Sequence, residues 1–225
     1  MIIKPLHYNL VEKYHKNFVK NEIVRWAKGK VLDVGCGDQP FYKSIKDQVE
    51  EYVAVDHPDT PHSKENIDFF ATAYELPFND NHFDIVLLTQ VIEHLESPEK
   101  GLKEINRVLK ANGKLILSWP FVYPIHEAPR DFFRYTNYGM EHLAKETGYR
   151  INKITPVSGF WISHFSFLSI YILRKSKLIY YMLFPFLFLF KYICILLEMF
   201  DKNDNSKAAW TWNYYAILEK SDDEL

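Results

Sequence analysis

The sequence predicts an α/β fold built on a mostly parallel sheet, and two observations predict it. The first is the stretch VLDVGCGDQP, Val31 to Pro40, in which Val31, Leu32 and Val34 make a short apolar run typical of a strand covered on both faces. It ends in a turn with glycine at positions 35 and 37, where no Cβ keeps a ligand from the backbone. The second is Tyr52-Val-Ala-Val-Asp56, another strand-like run ending in an acid. It falls about 20 residues after the glycine turn, the spacing at which a carboxylate accepts hydrogen bonds from a ribose diol. Asp56 is therefore the ribose ligand in any nucleotide-binding reading.

The turn itself separates two such readings. A dinucleotide site wants G-x-G-x-x-G, whose third glycine lets a helix approach and hold a pyrophosphate. Here the third position is Pro40. An acid inside the strand, Asp33, followed by G-x-G instead resembles motif I of the class I S-adenosylmethionine-dependent methyltransferases, whose turn cradles the methionine half of the cofactor. Further segments resemble later motifs of that family in the expected order. They are Asp68 to Phe78 with its LPF turn, Phe83 to Leu95 with its FDIV strand and EHL triplet, and Ile105 to Leu117 as helix, turn and fifth strand.

The resemblance implies a Rossmann-like, seven-stranded, mostly parallel sheet with an antiparallel last strand, and S-adenosyl-L-methionine as cofactor. Carried over residue by residue, it implies cofactor contacts from Asp33, Gly35, Cys36, Gly37, Asp56, His57, Thr72, Ala73 and Gln90. Thr72 departs from the family, many of whose members place an aspartate there for the adenine amino group. A hydroxyl accepts that bond more weakly, and the backbone N–H of Ala73 is the more tolerant contact.

Other elements follow in order. Met1 to Lys20 mixes His, Lys, Glu and Asn with scattered apolar residues, which reads as an amphipathic helix leading to Trp26 and lacks the apolar core of a secretion signal. A helix is expected from Tyr138 to Thr147, a strand from about Arg150 to Val157 and the last strand from Thr211 to Leu218. Roughly forty residues separate two strands that a few could join. This insertion, 159–205, sits inside a single domain of 1–225. It runs GFWISHFSFLSIYIL, the basic knot Arg174-Lys-Ser-Lys177, then LIYYMLFPFLFLFKYICILLEMF.

About 18 uncharged apolar residues suggest a membrane span. Leu178 to Phe190 is shorter, contains Pro185 and is followed by Lys191 and Glu198. The pattern predicts two helices lying in, or dipping into, one bilayer face, with Trp161, Tyr171, Tyr180, Tyr181 and Tyr192 at headgroup depth and the basic knot at lipid phosphates; a spanning hairpin is the other membrane arrangement. The plainer explanation is a helical hairpin buried in a homodimer. So dense a Leu, Ile and Phe surface beside a basic cluster favours lipid.

The segment Trp119 to Thr136 follows the fifth strand, and in open α/β sheets ligands bind at the carboxyl ends of strands. It concentrates His126, Glu127, Arg130, Asp131, Arg134 and Tyr135 among three prolines from Pro120 to Pro129. The H-E-x-P-x-D-x-x-R-Y-T pattern resembles a methyltransferase subgroup, type 11-like, associated with bacterial surface-glycan synthesis. Methyl transfer to a hydroxyl is an in-line displacement that needs alignment and removal of a proton. An imidazole suits the proton near neutral pH. His126 is the first candidate base and His94 the second, with Glu127, Asp131, Arg134 and Tyr135 toward the substrate. Asp131 and Arg134 equally suit a salt bridge that holds the loop closed.

A net charge of -2 offers nucleic acid no general attraction. Cys36 and Cys194 stand in segments with no reason to meet, which fits a reducing cytoplasm. The nine histidines show no paired ligand spacing, so no metal is expected. The sequence thus points to a methyltransferase at the inner face of the membrane, acting on a lipid-linked sugar or other amphiphilic acceptor. A quinone or a lipid headgroup is the nearest alternative acceptor. A membrane-docking module with a degenerate cofactor site and a nicotinamide-dependent oxidoreductase are the rivals from other classes.

Overall fold

The computed structural model describes residues 6, 10, 13–201 and 204–221. The part of the expected N-terminal helix before Lys13, Leu6 and Leu10 apart, lies outside them. Seven strands form one sheet: β1 (Lys30–Val34), β2 (Glu51–Asp56), β3 (Phe69–Phe70), β4 (Phe83–Thr89), β5 (Leu109–Pro120), β6 (Tyr149–Pro156) and β7 (Asn213–Lys220). Their order is β3-β2-β1-β4-β5-β7-β6. The first five pair in parallel, and Asp33 of β1 stands in register with Ala54 of β2 and Leu87 of β4. With neighbours on both sides, β1 is buried from Val31 to Val34, which accounts for its apolar run.

The last strand reverses. Phe121 N–H donates to Trp212 O and Val122 N–H to Thr211 O, so residue numbers fall on one side as they rise on the other. Val157 N–H to Asn213 O and Ser221 N–H to Gly148 O repeat the pattern on the opposite edge. Thus β7 lies antiparallel between β5 and β6, as expected, but begins two residues later than the sequence reading. Thr211 is a corner instead: its hydroxyl accepts from Val157 and Ser158 N–H, both at 3.1 Å, and donates to Asn213 O at 2.7 Å.

The chain divides into two compact units. One comprises Val19–Trp119, Ile125–Ile154 and Tyr215–Leu225. It holds the C-terminal part of α1 (Lys13–Trp26), then α2 (Tyr42–Ile45), α3 (Pro98–Val108) and α4 (Asn137–Glu146). Helix α3 opens with Pro98 after Ser97 and buries Leu102, Ile105 and Val108 on one face. Arg107 on its other side donates to the carbonyls of Phe78 at 2.8 Å and Leu76 at 3.1 Å, holding the LPF turn in place. Helix α4 starts where Thr136 Oγ1 accepts from Gly139 N–H at 3.0 Å.

Glu219 of β7 joins the antiparallel end of this sheet. It accepts from Lys114, Arg150 and, at 2.8 Å, Asn152, and these partners hold its carboxyl down at about 2. A group with a depressed folded pKa contributes stability above its unfolded value, near 4.5, and loses it as pH falls toward 2. Urea midpoints measured from pH 5 down to pH 2 should therefore fall with acid, and Glu219→Gln should flatten that limb. Parallel curves for the two proteins would refute the role of this network.

The other unit comprises Met1–Phe18, Pro120–Pro124 and Thr155–Tyr214. It contains α5 (Phe160–Lys175), α6 (Lys177–Phe200) and α7 (Asp204–Trp210). Ser163, Ser166 and Ser169 form a fully buried stripe of small residues on α5. Tyr180, Leu187 and Cys194 are buried on α6 at seven-residue spacing, in a cluster with Ile162, Phe165, Leu6, Leu10 and Trp212. Glu198 near the end of α6 accepts from Gly159 N–H and from Ile162 N–H at 3.2 Å, satisfying the free donors at the start of α5.

The segment that holds Pro185 is one continuous 24-residue helix. Proline removes one backbone hydrogen bond from a helix interior and crowds the preceding turn. Burial of the stripe on both sides of Pro185 outweighs that local cost.

Candidate functional site

The parallel strands of the larger unit end in a cleft of about 640 Å³, a size suited to a drug-sized ligand. The glycine turn forms its floor. Gly35 has φ +70°, and a Cβ there would stand 2.4 Å from Val91 Cγ2, so the position accepts no other residue without movement. Gly37, at φ +51°, donates its N–H to Asp56 Oδ2 at 2.9 Å, and Asp56 Oδ1 accepts from His57 N–H at 2.7 Å. Asp56 therefore braces the turn while lining the cleft at the end of β2. Gln90, past the end of β4, sits at φ +57° and is held by Ser118 through both its backbone and its side chain.

Of the expected cofactor residues, Gly35, Asp56, His57, Thr72, Ala73 and Gln90 line the cleft. Asp33, Cys36 and Gly37 are not among its lining residues. Asp33 is 1 % exposed and accepts from the Tyr52 hydroxyl through Oδ2, while Oδ1 has no hydrogen-bond partner among the described residues. Burial pushes its carboxyl up to about 7, partly opposed by that hydroxyl, and nearby Asp56 adds to the rise. Burial likewise pushes the Cys36 thiol up to about 12, which keeps it in the thiol form. Both cysteines are free and buried.

The segment after β5 closes one side of the cleft. Arg130 reaches back past the end of β2, with Nη1 at 3.2 Å from His57 Nδ1 and Nη2 at 3.2 Å from Asp59 Oδ2. Asp131 and Arg134 form the expected salt bridge, bidentate at 2.6 and 2.8 Å, and Asp131 also accepts from His126 N–H at 2.9 Å. The guanidinium holds the Asp131 carboxyl well below the usual carboxylate range. Tyr135 gives its carbonyl to Trp119 Nε1 at 2.9 Å. These three residues shape the loop and are not in the cleft lining; Glu127 is.

The two candidate bases also part. His94 lines the cleft and His126 does not, the rings standing 4.9 Å apart edge to face. Burial pushes the His126 imidazole down, with Asp131 opposing. Between them lies Glu93, fully buried, its carboxyl pushed up to about 8 by burial. Its Oε1 is 3.8 Å from His94 Nε2 and 3.9 Å from His126 Nε2. Sequence reasoning passed over Glu93 because the EHL triplet reads as a helix start, which it is: Ile92–His94 forms one 3-10 turn. The only signal was adjacency to a histidine, and His126 comes from a distant loop.

Residues 32–117 match the family model described as a methyltransferase domain. An uncharacterized protein of Methanocaldococcus jannaschii is 30% identical over 116 residues, 47% of this chain and 57% of that protein. The ubiquinone/menaquinone biosynthesis C-methyltransferase of Shewanella oneidensis is 40% identical over 63 residues, 28% of this chain and 25% of the enzyme. The chain thus spans little more than half, or less, of the curated relatives it matches. Among solved structures, a SAM-dependent methyltransferase from Archaeoglobus fulgidus superposes with a TM-score of 0.57 at 18% identity, covering 96% of this chain and 100% of that one. That likeness establishes the Rossmann-like fold.

Proposed function

We propose that this chain is an S-adenosylmethionine-dependent methyltransferase acting on a hydroxyl of a lipid-linked sugar or other amphiphile at the inner membrane surface. The observation that carries the cofactor is the pairing of a cleft-lining carboxylate, Asp56, with a turn that has no room for a side chain at Gly35. Asp56 would hold the ribose diol, Thr72 and Ala73 the adenine, and the Gly35 turn the methionine end. The unpaired Asp33 Oδ1 beneath that turn suits a cofactor carrying an ammonium group. The cofactor supplies an electrophilic methyl carbon on a sulfonium. The protein's share is to align the acceptor, keep water out and take up or release the hydroxyl proton. The Glu93–His94–His126 cluster, which meets the cleft at His94, is the group placed for that proton.

The acceptor class rests on the second unit. Leu178, Met182, Phe186, Leu189, Ile193, Leu196 and Phe200 are all exposed. They recur every three or four residues and form one apolar face along the whole of α6. The Lys191 ammonium lies over the rings of Phe188 and Tyr192 at 4.8 and 4.5 Å, a cation–π contact. By length and composition α6 is also long enough to cross a bilayer. The basic residues at its start favour a helix lying in the interface. The local similarity to a quinone C-methyltransferase supports a second reading, in which the acceptor is a quinone ring carbon.

Liposomes test the surface. Sedimentation of the full chain should rise with anionic lipid and fall with salt. Changing Arg174, Lys175 and Lys177 to Gln should weaken the charge dependence without abolishing attachment, because the apolar face supplies most of the energy. A detergent-free dimer that ignores vesicles would sink the membrane reading. Transfer of labelled methyl into a membrane lipid extract tests the reaction, and whether the label sits on oxygen or carbon separates the two acceptors.

A further inference from the structure

We infer that Glu93, His94 and His126 form a binding site for one divalent transition-metal ion at the wall of the cleft, an inference that rests on the proposed methyl-transfer reading only for its role. Both oxygens of the Glu93 carboxylate lack a hydrogen-bond partner among the described residues, on a side chain with no exposure. A buried carboxyl with neither oxygen paired is costly, and a divalent cation that displaces its proton is a partner that satisfies it. The three ligand atoms lie within 4.8 Å of one another. Metal–ligand bonds of about 2.0–2.2 Å need them roughly 3–3.5 Å apart, a contraction within reach of side-chain rotation.

The surroundings of the rings carry the inference further. A metal-binding imidazole usually gives its other N–H to a carbonyl or carboxylate, which fixes the tautomer. His94 Nδ1 meets the carbonyl of Arg130, and His126 Nδ1 stands 3.3 Å from Asp131 Oδ2. Both Nε2 atoms, which in that tautomer carry the lone pairs, face Glu93 Oε1. Arg134 Nη2 is 3.4 Å from His126 Nδ1, but it lies only 2.8 Å from Asp131, so its shorter bond goes to the carboxylate. Glu127 Oε2, 3.8 Å from His94 Nε2 and on the cleft wall, marks the side on which the site opens.

Two imidazoles and one carboxylate suit zinc, cobalt or manganese better than magnesium or calcium, which prefer oxygen ligands. Three protein ligands leave a coordination position for a substrate oxygen. A hydroxyl bound there loses its proton to water more readily. Its oxygen then forms the new bond to the methyl carbon as the carbon–sulfur bond breaks and the sulfur leaves as a thioether.

The test uses the full, tag-free chain stripped with a chelator. Titration with Co²⁺, followed by visible absorbance, and with Zn²⁺, followed by calorimetry, should give one ion per chain. Glu93→Gln and His126→Ala should each weaken the ion by at least about 10–100-fold while S-adenosylhomocysteine still binds as to the parent. Failure of the parent to take up a stoichiometric ion overturns the inference, as does unchanged affinity in both variants. The parent's stoichiometry is read without substitution, so it decides the question even where a variant loses its fold. Loss of S-adenosylhomocysteine binding by the parent would instead overturn the methyltransferase reading and leave the ion count standing.

Discussion

Alanine at position 94 is expected to lower methyl transfer about 10²–10⁴-fold while S-adenosylhomocysteine affinity stays within about twofold. The reasoning is positional. His94 is the member of the Glu93–His94–His126 cluster that lines the cleft, with Nε2 facing Glu93 and Glu127 at 3.8 Å each. Its loss removes the proton acceptor if the imidazole acts alone, and a ligand if the cluster holds an ion. Either way the defect is expected on the reacting hydroxyl and not on cofactor binding, because the proposed ribose and methionine contacts belong to Asp56 and the turn after β1. The measurement is transfer of labelled methyl to a membrane lipid extract, beside calorimetry with S-adenosylhomocysteine. Turnover like that of the parent protein would return His94 to a packing role at the 3-10 turn.

Asp56→Ala should act at the other end of the site. A carboxylate accepting hydrogen bonds from a ribose diol contributes roughly 1.5–3 kcal/mol, so calorimetry should show S-adenosylhomocysteine binding weakened by about 10–150-fold. The structure adds a second reason for a large effect. Asp56 also accepts from Gly37 and His57 N–H, so its removal loosens the turn on which the methionine end would lie. Unchanged affinity, or a preference for a nicotinamide dinucleotide, would sink the cofactor assignment.

The parallel core was legible from the residues alone. A strand covered on both faces must be apolar along its length, and a turn that passes under a ligand must lack Cβ atoms. Val31 to Gly37 and Tyr52 to Asp56 state both constraints within a few residues. The antiparallel return was legible through resemblance, although its start moved from Thr211 to Asn213 because the Thr211 hydroxyl makes a corner that no pattern announces. The unbroken passage of α6 through Pro185 was not legible. Pro185 is a local penalty visible in the sequence, whereas the burial of Tyr180, Leu187 and Cys194 that outweighs it depends on Leu6, Leu10 and α5, elements remote in the chain.

The site divides in the same way. The places of Gly35 and Asp56 at strand ends facing the cleft could be read from spacing. The roles of Glu93, His94 and His126 could not. Folding in three dimensions brings a 3-10 turn after β4 against a loop after β5, sets His94 on the wall with His126 beside it, and removes Glu93 from water. Burial without a hydrogen-bond donor among the described residues is a property of the folded surroundings and not of the residue. It turned an ordinary glutamate into the most unusual group beside the cleft.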